Sequence, residues 1–162
     1  MPSMRRLALL SALLVIFDQI TKSWALVALD GGRTIDIIWT LRFALGFNSG
    51  MAFSQGEGLG VVIGLVALGV VVVMFKSMMK ATSPMTAYAF SFIIGGALGN
   101  VVDRLFRQDK WMRGHVIDFI DFQWWPVFNV ADSLIFIGAF LLILGLFAEY
   151  RAEKTAGVNH ES

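Results

Sequence analysis

The chain of 162 residues is 57% hydrophobic and only 15% charged, with a mean hydropathy of +0.71. A water-soluble domain carries about 25% charged residues, so an integral membrane protein is predicted, of a length that suits one domain. A net charge of +1 without a basic stripe speaks against nucleic acid, and zero cysteines exclude disulfides, Cys-ligated metals and thiol catalysis.

A membrane-spanning helix needs roughly 20 mostly apolar residues. Four stretches qualify: about 7–29, 58–76, 84–106 and 130–149. The first comes after a basic start, and LALLSALLVIF resembles the core of a secretory leader. It lacks a small-residue cleavage site, and the run continues through DQITKSWALVAL, so it reads as an uncleaved span. It contains Asp18 and Lys22, one helical turn apart with the acid first, the favourable order for a pair. Charge at mid-bilayer costs about 2.5–3.5 kcal/mol per group on insertion scales. The pair either fastens helices together or touches a substrate, and the two roles are compatible.

The segment TIDIIWTLRF alternates, with Ile35, Ile37, Trp39, Leu41 and Phe43 on one face and Asp36, Thr40 and Arg42 on the other. That is the period of a strand. Gly46, Gly50, Gly56 and Gly58 punctuate the stretch from 46 to 58, so a small sheet with turns is predicted on the non-cytoplasmic surface, with a greasy face at the membrane boundary. The second span is generic.

The third span carries IIGGALGNVVDR. Gly95 and Gly99 form a GxxxG that lets a neighbouring helix approach closely. Asn100, Asp103 and Arg104 share a face; Asp103 and Arg104 suit a helix-end salt bridge, and a buried Asn100 needs partners. The loop at about 107–129 holds Trp111, Phe119, Phe122, Trp124, Trp125 and Phe128, a composition of the headgroup level. Within it, HVIDFIDF supplies Asp118 and Asp121, each readable as a solvated loop acid or as a catalytic one. FNVADS opens the fourth span, with Asn129 as N-cap and Asp132 three residues on, close to a capping box at the positive end of the helix dipole. The C-terminal AEKTAGVNHES is polar and expected to fray.

Four spans put both termini on one side. Six cationic residues lie on the terminal side (Arg5, Arg6, Lys76, Lys80, Arg151, Lys154) and six on the other (Arg33, Arg42, Arg104, Arg107, Lys110, Arg113). The terminal-side charges sit in shorter segments, which favours cytoplasmic termini. His115 and His160 are isolated and no HExxH occurs, so a zinc protease is disfavoured and no metal is expected. A Ser–Lys hydrolase is disfavoured too, because Lys22 paired with Asp18 makes a poor general base.

Two carboxylates brought together at a membrane surface can share one proton. The ionised member then activates water and the protonated one polarises a peptide carbonyl, without metal, cofactor or covalent intermediate. Nearby amides and an Arg or Lys would hold the oxyanion or the substrate backbone.

DQITK at 18–22, NSGMAF at 48–53, GGALGNVVDR at 95–104, VIDFIDF at 116–122 and FNVADS at 128–133 together resemble, in order, the five motif blocks of lipoprotein signal peptidase, the type II signal peptidase. The resemblance implies an inner-membrane aspartyl endopeptidase that removes the signal peptide of bacterial prolipoproteins just before the diacylglyceryl-modified cysteine. It implies Asp118 and Asp132 as the catalytic pair, with Asp18, Lys22, Asn48, Asn100, Arg104 and Asn129 lining the site; Asp103, at the end of the third span, reads as a support. It also implies an all-α membrane protein: four transmembrane helices, a small extracytoplasmic β-sheet and a short interfacial helix, matched here by the alternation at 34–43 and the aromatic loop at 107–125. The expected partners are lipid-modified prolipoproteins and membrane lipid, the enzyme being monomeric with its site at the periplasmic face. The chain departs from the family pattern in a longer stretch from Arg104 to Asp118, a shorter one from Asp118 to Asn129, and Met51 where a small residue is common.

Two other classes are open to the same residues. A proton-coupled transporter also keeps acids in its spans, but here the polar groups cluster toward one face and spans two and four offer no acid at mid-depth. A non-catalytic scaffold would use them only to fasten helices, and would keep its function in Asp118→Asn and Asp132→Asn variants.

Overall fold

The computed structural model describes residues 1–49, 59–107 and 114–158. Its long elements are four helices, α1 (Met4–Ala28), α2 (Leu59–Met78), α3 (Pro84–Phe106) and α4 (Val130–Val158), each long and apolar enough to cross a membrane. The start of α1, the end of α2, the start of α3 and the end of α4 therefore share one end of the bundle. At the opposite end a short 3-10 turn (Asp30–Gly32) leads into an antiparallel sheet of β1 (Thr34–Ile38), β2 (Leu41–Asn48) and β3 (Val116–Asp121), in the order β1-β2-β3.

Helix α3 is the centre of the bundle and packs on each of the other three. Small residues make that possible. A Cβ at Gly95 would stand 2.9 Å from the Leu14 Cβ of α1, and one at Gly96 would collide with the Ala131 carbonyl of α4. The same closeness recurs from the α4 side, where a Cβ at Gly138 would lie 2.9 Å from the Ala89 carbonyl. Toward the terminal end Leu7, Met78, Ala87, Phe90 and Ile94 form one buried cluster. The outward faces of α1, α2 and α4 keep large apolar side chains exposed, among them Ile16, Val66 and Phe140, as helices solvated by lipid do.

The sheet sits over this bundle on a second cluster of Ala25, Leu29 and Phe119. Trp24, Phe43 and Phe119 meet edge to face with centroids 5.3–6.1 Å apart. Strand β3 is tied to the entrance of α4, since Phe119 and Ile120 donate their amides to the Phe128 carbonyl at 3.0 and 2.8 Å. Gly114 donates to the Arg104 carbonyl at 3.0 Å, and a Cβ there would collide with the Asp103 carbonyl, so the start of this segment lies directly on the end of α3.

Several expectations change. The alternation at 34–43 is two strands, with a turn at Trp39 and Thr40 where Trp39 takes φ 54°. Within the aromatic segment at 107–125, VIDFID forms β3 by pairing with β2; residues 108–113 of that segment, including Trp111, lie outside the described residues, as do Gly50 to Gly58 with Met51. Asp118 is therefore on a strand, not in a loop. The polar tail starts as helix, with α4 continuing to Val158.

Candidate active site

Asp132 stands in the first turn of α4, and the capping pair expected from its spacing is formed in both directions. The Asp132 amide donates to Asn129 Oδ1 at 2.9 Å, and the Asn129 amide donates to Asp132 Oδ2 at 3.2 Å. Another orphan amide of the same helix end, that of Ala131, donates to Asp18 Oδ1 on α1 at 2.9 Å. The entrance of α4 is thus satisfied by two side chains, one local and one distant.

Asp118 lies on β3, 4% exposed, opposite Gly46 of β2. Asn129 Nδ2 donates to its Oδ1 at 2.6 Å, and Asn48 also hydrogen-bonds it. Asn100 Nδ2 donates to Asp132 Oδ1 at 2.8 Å, while Asn100 Oδ1 accepts from Asn129 Nδ2 at 3.2 Å. The two carboxylates are therefore bridged by two asparagines whose amide orientations are dictated by their other bonds. Burial, with the charge of Asp132 nearby, pushes the Asp118 carboxyl up to about 6, against the opposing hydrogen bonds from Asn129 and Asn48.

Beneath the bridge is a fully buried ion cluster. Lys22 Nζ lies 2.8 Å from Asp18 Oδ2, 2.8 Å from Asp103 Oδ2 and 2.9 Å from Asn100 Oδ1. Gly99 makes room for it, since a Cβ there would stand 2.6 Å from Asp18 Oδ2. The pairing of Asp103 with Arg104 suggested by sequence is replaced by ion pairs to Lys22 and to Arg107, the latter at 2.6 Å. Arg104 is also buried, with Asp103, Asp118 and Asp132 in electrostatic reach, and its Nη1 has no hydrogen-bond partner among the described residues. A buried guanidinium nitrogen without an acceptor is costly, unless a ligand oxygen fills the place.

Asp121, three residues after Asp118, projects from the other face of the strand. Arg42 pairs with it at 2.8 Å and holds its carboxyl below the usual range, and it accepts from the Gln123 amide at 2.6 Å. It fixes the sheet edge and is no part of the site. A cavity of about 300 Å³, lined by Leu26, Phe47, Phe106, Arg107, His115 and Ile117, opens on the Ile117 side of the strand.

Eight of the nine site residues expected from sequence are joined by hydrogen bonds or ion pairs at the sheet end of the bundle, and the ninth, Arg104, stands in electrostatic reach of three of them. Sequence reading missed Gln19 and Arg107. The signal for Arg107 was its position one turn after Asp103, and that for Gln19 was its place inside the DQITK block.

The family model for signal peptidase (SPase) II matches residues 10–148. Lipoprotein signal peptidases of Mycobacterium leprae and of Mycobacterium tuberculosis are 43% and 44% identical to the chain over 144 residues, 86% of it, and 72% and 71% of their own length. A bacterial membrane enzyme solved by the in meso method superposes with a TM-score of 0.77 at 27% identity, covering 91% of this chain and 90% of that one.

Proposed function

The chain belongs to the signal peptidase II family, a family of proteases, and from that premise we propose that it removes the signal peptide of bacterial prolipoproteins by aspartyl chemistry. The cut falls before the diacylglyceryl-modified cysteine, and Asp118 and Asp132 are the catalytic pair. The observation that carries the reading is the bridge of Asn100 and Asn129, which links a strand acid to a helix acid beside an Arg104 nitrogen that has no partner among the described residues.

The pair works with one proton, which belongs to both acids together. The ionised carboxylate takes a proton from a water held between the two, and the water oxygen attacks the scissile carbonyl carbon. The protonated carboxyl gives its proton to the carbonyl oxygen, forming a neutral tetrahedral diol. The diol then returns a proton to the second acid as its carbonyl re-forms. The first acid hands its proton to the leaving nitrogen, the C–N bond breaks, and the pair is again singly protonated. Asn129 engages one oxygen of Asp118, and Asn100 with the Asn129 amide engages both oxygens of Asp132, which fixes the faces offered to water. Arg104 Nη1 supplies a donor for a substrate backbone carbonyl, and its charge stabilises negative charge developing at the reacting oxygen.

The network lies at the bundle end opposite the two termini. With the termini cytoplasmic, the site faces the periplasm at the outer boundary of the inner membrane, within reach of a lipid-modified cysteine. The whole chain serves as one membrane-embedded peptidase domain acting as a monomer among lipids.

The test is a cleavage assay with purified protein in detergent and a lipid-modified prolipoprotein. Cleavage next to the lipidated cysteine is expected, insensitive to chelators, and abolished by Asp118→Asn or Asp132→Asn in folded protein. Persistent cleavage after either substitution would sink the assignment of the pair.

A further inference from the structure

Asp103 is wholly buried and accepts four hydrogen bonds. They come from Lys22 Nζ at 2.8 Å, Arg107 Nε at 2.6 Å, Gln19 Nε2 at 3.0 Å and the Ile117 amide at 3.2 Å. Two lines of contact leave it toward the catalytic pair. One runs through the Ile117 amide to the strand position immediately before Asp118. The other runs through Lys22 to Asn100 Oδ1, and Asn100 Nδ2 holds Asp132. This one carboxylate therefore touches a support of each acid.

Lys22 alone does not hold it there. That ammonium is divided between Asp18 and Asp103 at equal distances of 2.8 Å, one cation against two anions. Arg107 supplies the second cation and makes the four-charge cluster neutral, which a buried cluster requires. Gln19 closes a ring. Its amide nitrogen donates to Asp103, to Asp18 at 3.3 Å and to the Gly99 carbonyl at 3.0 Å, while its oxygen accepts from Arg107 Nη2 at 3.2 Å. Arg107 and Gln19 bond neither Asp118 nor Asp132.

We infer that Gln19 and Arg107 are positioning residues of the peptidase: they clamp Asp103 so that it fixes the start of β3 and the Lys22–Asn100 arm in the geometry the pair needs. The inference rests on the catalytic reading above. Displacements of about 1 Å in a reacting constellation are costly, on the order of a hundredfold in rate, so a partial loosening is expected to lower turnover without touching substrate affinity.

The experiment compares wild type with Arg107→Gln, Arg107→Lys, Gln19→Leu and the Arg107→Gln/Gln19→Leu double variant, in detergent with lipidated prolipoprotein. Arg107→Gln should lower kcat roughly tenfold or more with KM within about twofold, and Arg107→Lys, which keeps the charge, should recover most of it. Gln19→Leu should behave similarly, and the double variant should fall short of the product of the two losses, because both act through Asp103. Independently of activity, hydrogen exchange at the Ile117 amide should accelerate in both single variants. Protected Ile117 exchange, an unchanged kcat, a loss that appears in KM, or full additivity would each overturn the inference. A wild type that fails to cleave refutes the catalytic reading, and the exchange measurement still decides whether the clamp holds β3. Should Arg107→Gln not fold, Gln19→Leu leaves the charges intact and carries the same test.

Discussion

Replacing Asp118 by asparagine should abolish cleavage and, at neutral pH, stabilise the protein. The buried carboxyl is raised from 3.8 to about 6, so its proton binds the folded state more tightly than the unfolded one. Each unit is worth about 1.4 kcal/mol, and the shift of about two units means that ionising Asp118 costs the fold up to about 3 kcal/mol. The direction is that of a raised pKa. Its contribution is fully present below about pH 4 and is lost as pH rises through about 6. An asparagine has no charge to desolvate, retains an oxygen to accept the Asn129 bond of 2.6 Å, and removes the charge that Asp132 repels. The assay is thermal unfolding of wild type and Asp118→Asn in one detergent at pH 4.5, 6 and 7.5, read as the difference between the two so that other titrations cancel. The variant should gain several degrees at pH 7.5, with the gain shrinking toward pH 4.5. A variant less stable than wild type at pH 7.5, or a difference independent of pH, would refute the view that desolvation and Asp132 dominate this site.

Lys22→Ala removes the ammonium shared by Asp18, Asp103 and Asn100, leaving two buried carboxylates short of a partner, and should cost about 3–5 kcal/mol of stability; chemical unfolding in detergent measures it, and a cost under about 1 kcal/mol would contradict the burial of the cluster. Gly99→Ala places a methyl 2.6 Å from Asp18 Oδ2, where α1 and α3 must separate or the carboxylate must turn. Activity and melting temperature should both fall, with overpacking costing about 1–3 kcal/mol, whereas Gly69→Ala, where a Cβ meets nothing within 4 Å, should be neutral.

Much of this molecule is legible locally. The spans come from composition and length, and the ends of α3 expected at 84 and 106 are those observed. The Asp18–Lys22 pair comes from the helical repeat, and the mutual capping of Asn129 and Asp132 from a spacing of three at a helix start. The hairpin was half legible. Alternation marked the strands, but nothing in the pattern announced a turn at Trp39, a residue type that rarely takes positive φ. The strand within 107–125 was not legible, for a related reason. Aromatic content reports depth in the membrane and says nothing about strand pairing, and VIDFID pairs with β2, about 70 residues earlier in the chain.

The amino-acid sequence by itself determined that the chain crosses a membrane four times and that costly charged groups gather toward one face. Periodicity and helix-end chemistry are properties of neighbours along the chain, and they need no knowledge of what lies across the bundle. Only the tertiary structure decided the partners. Asp103 turned away from Arg104 to Lys22 and Arg107, Gln19 reached Asp103 across 84 positions, and Asn129 joined the strand acid to the helix acid. Those choices depend on how far α1, α3 and α4 rotate and how closely their glycines let them approach, distances of a few ångströms that no local repeat encodes.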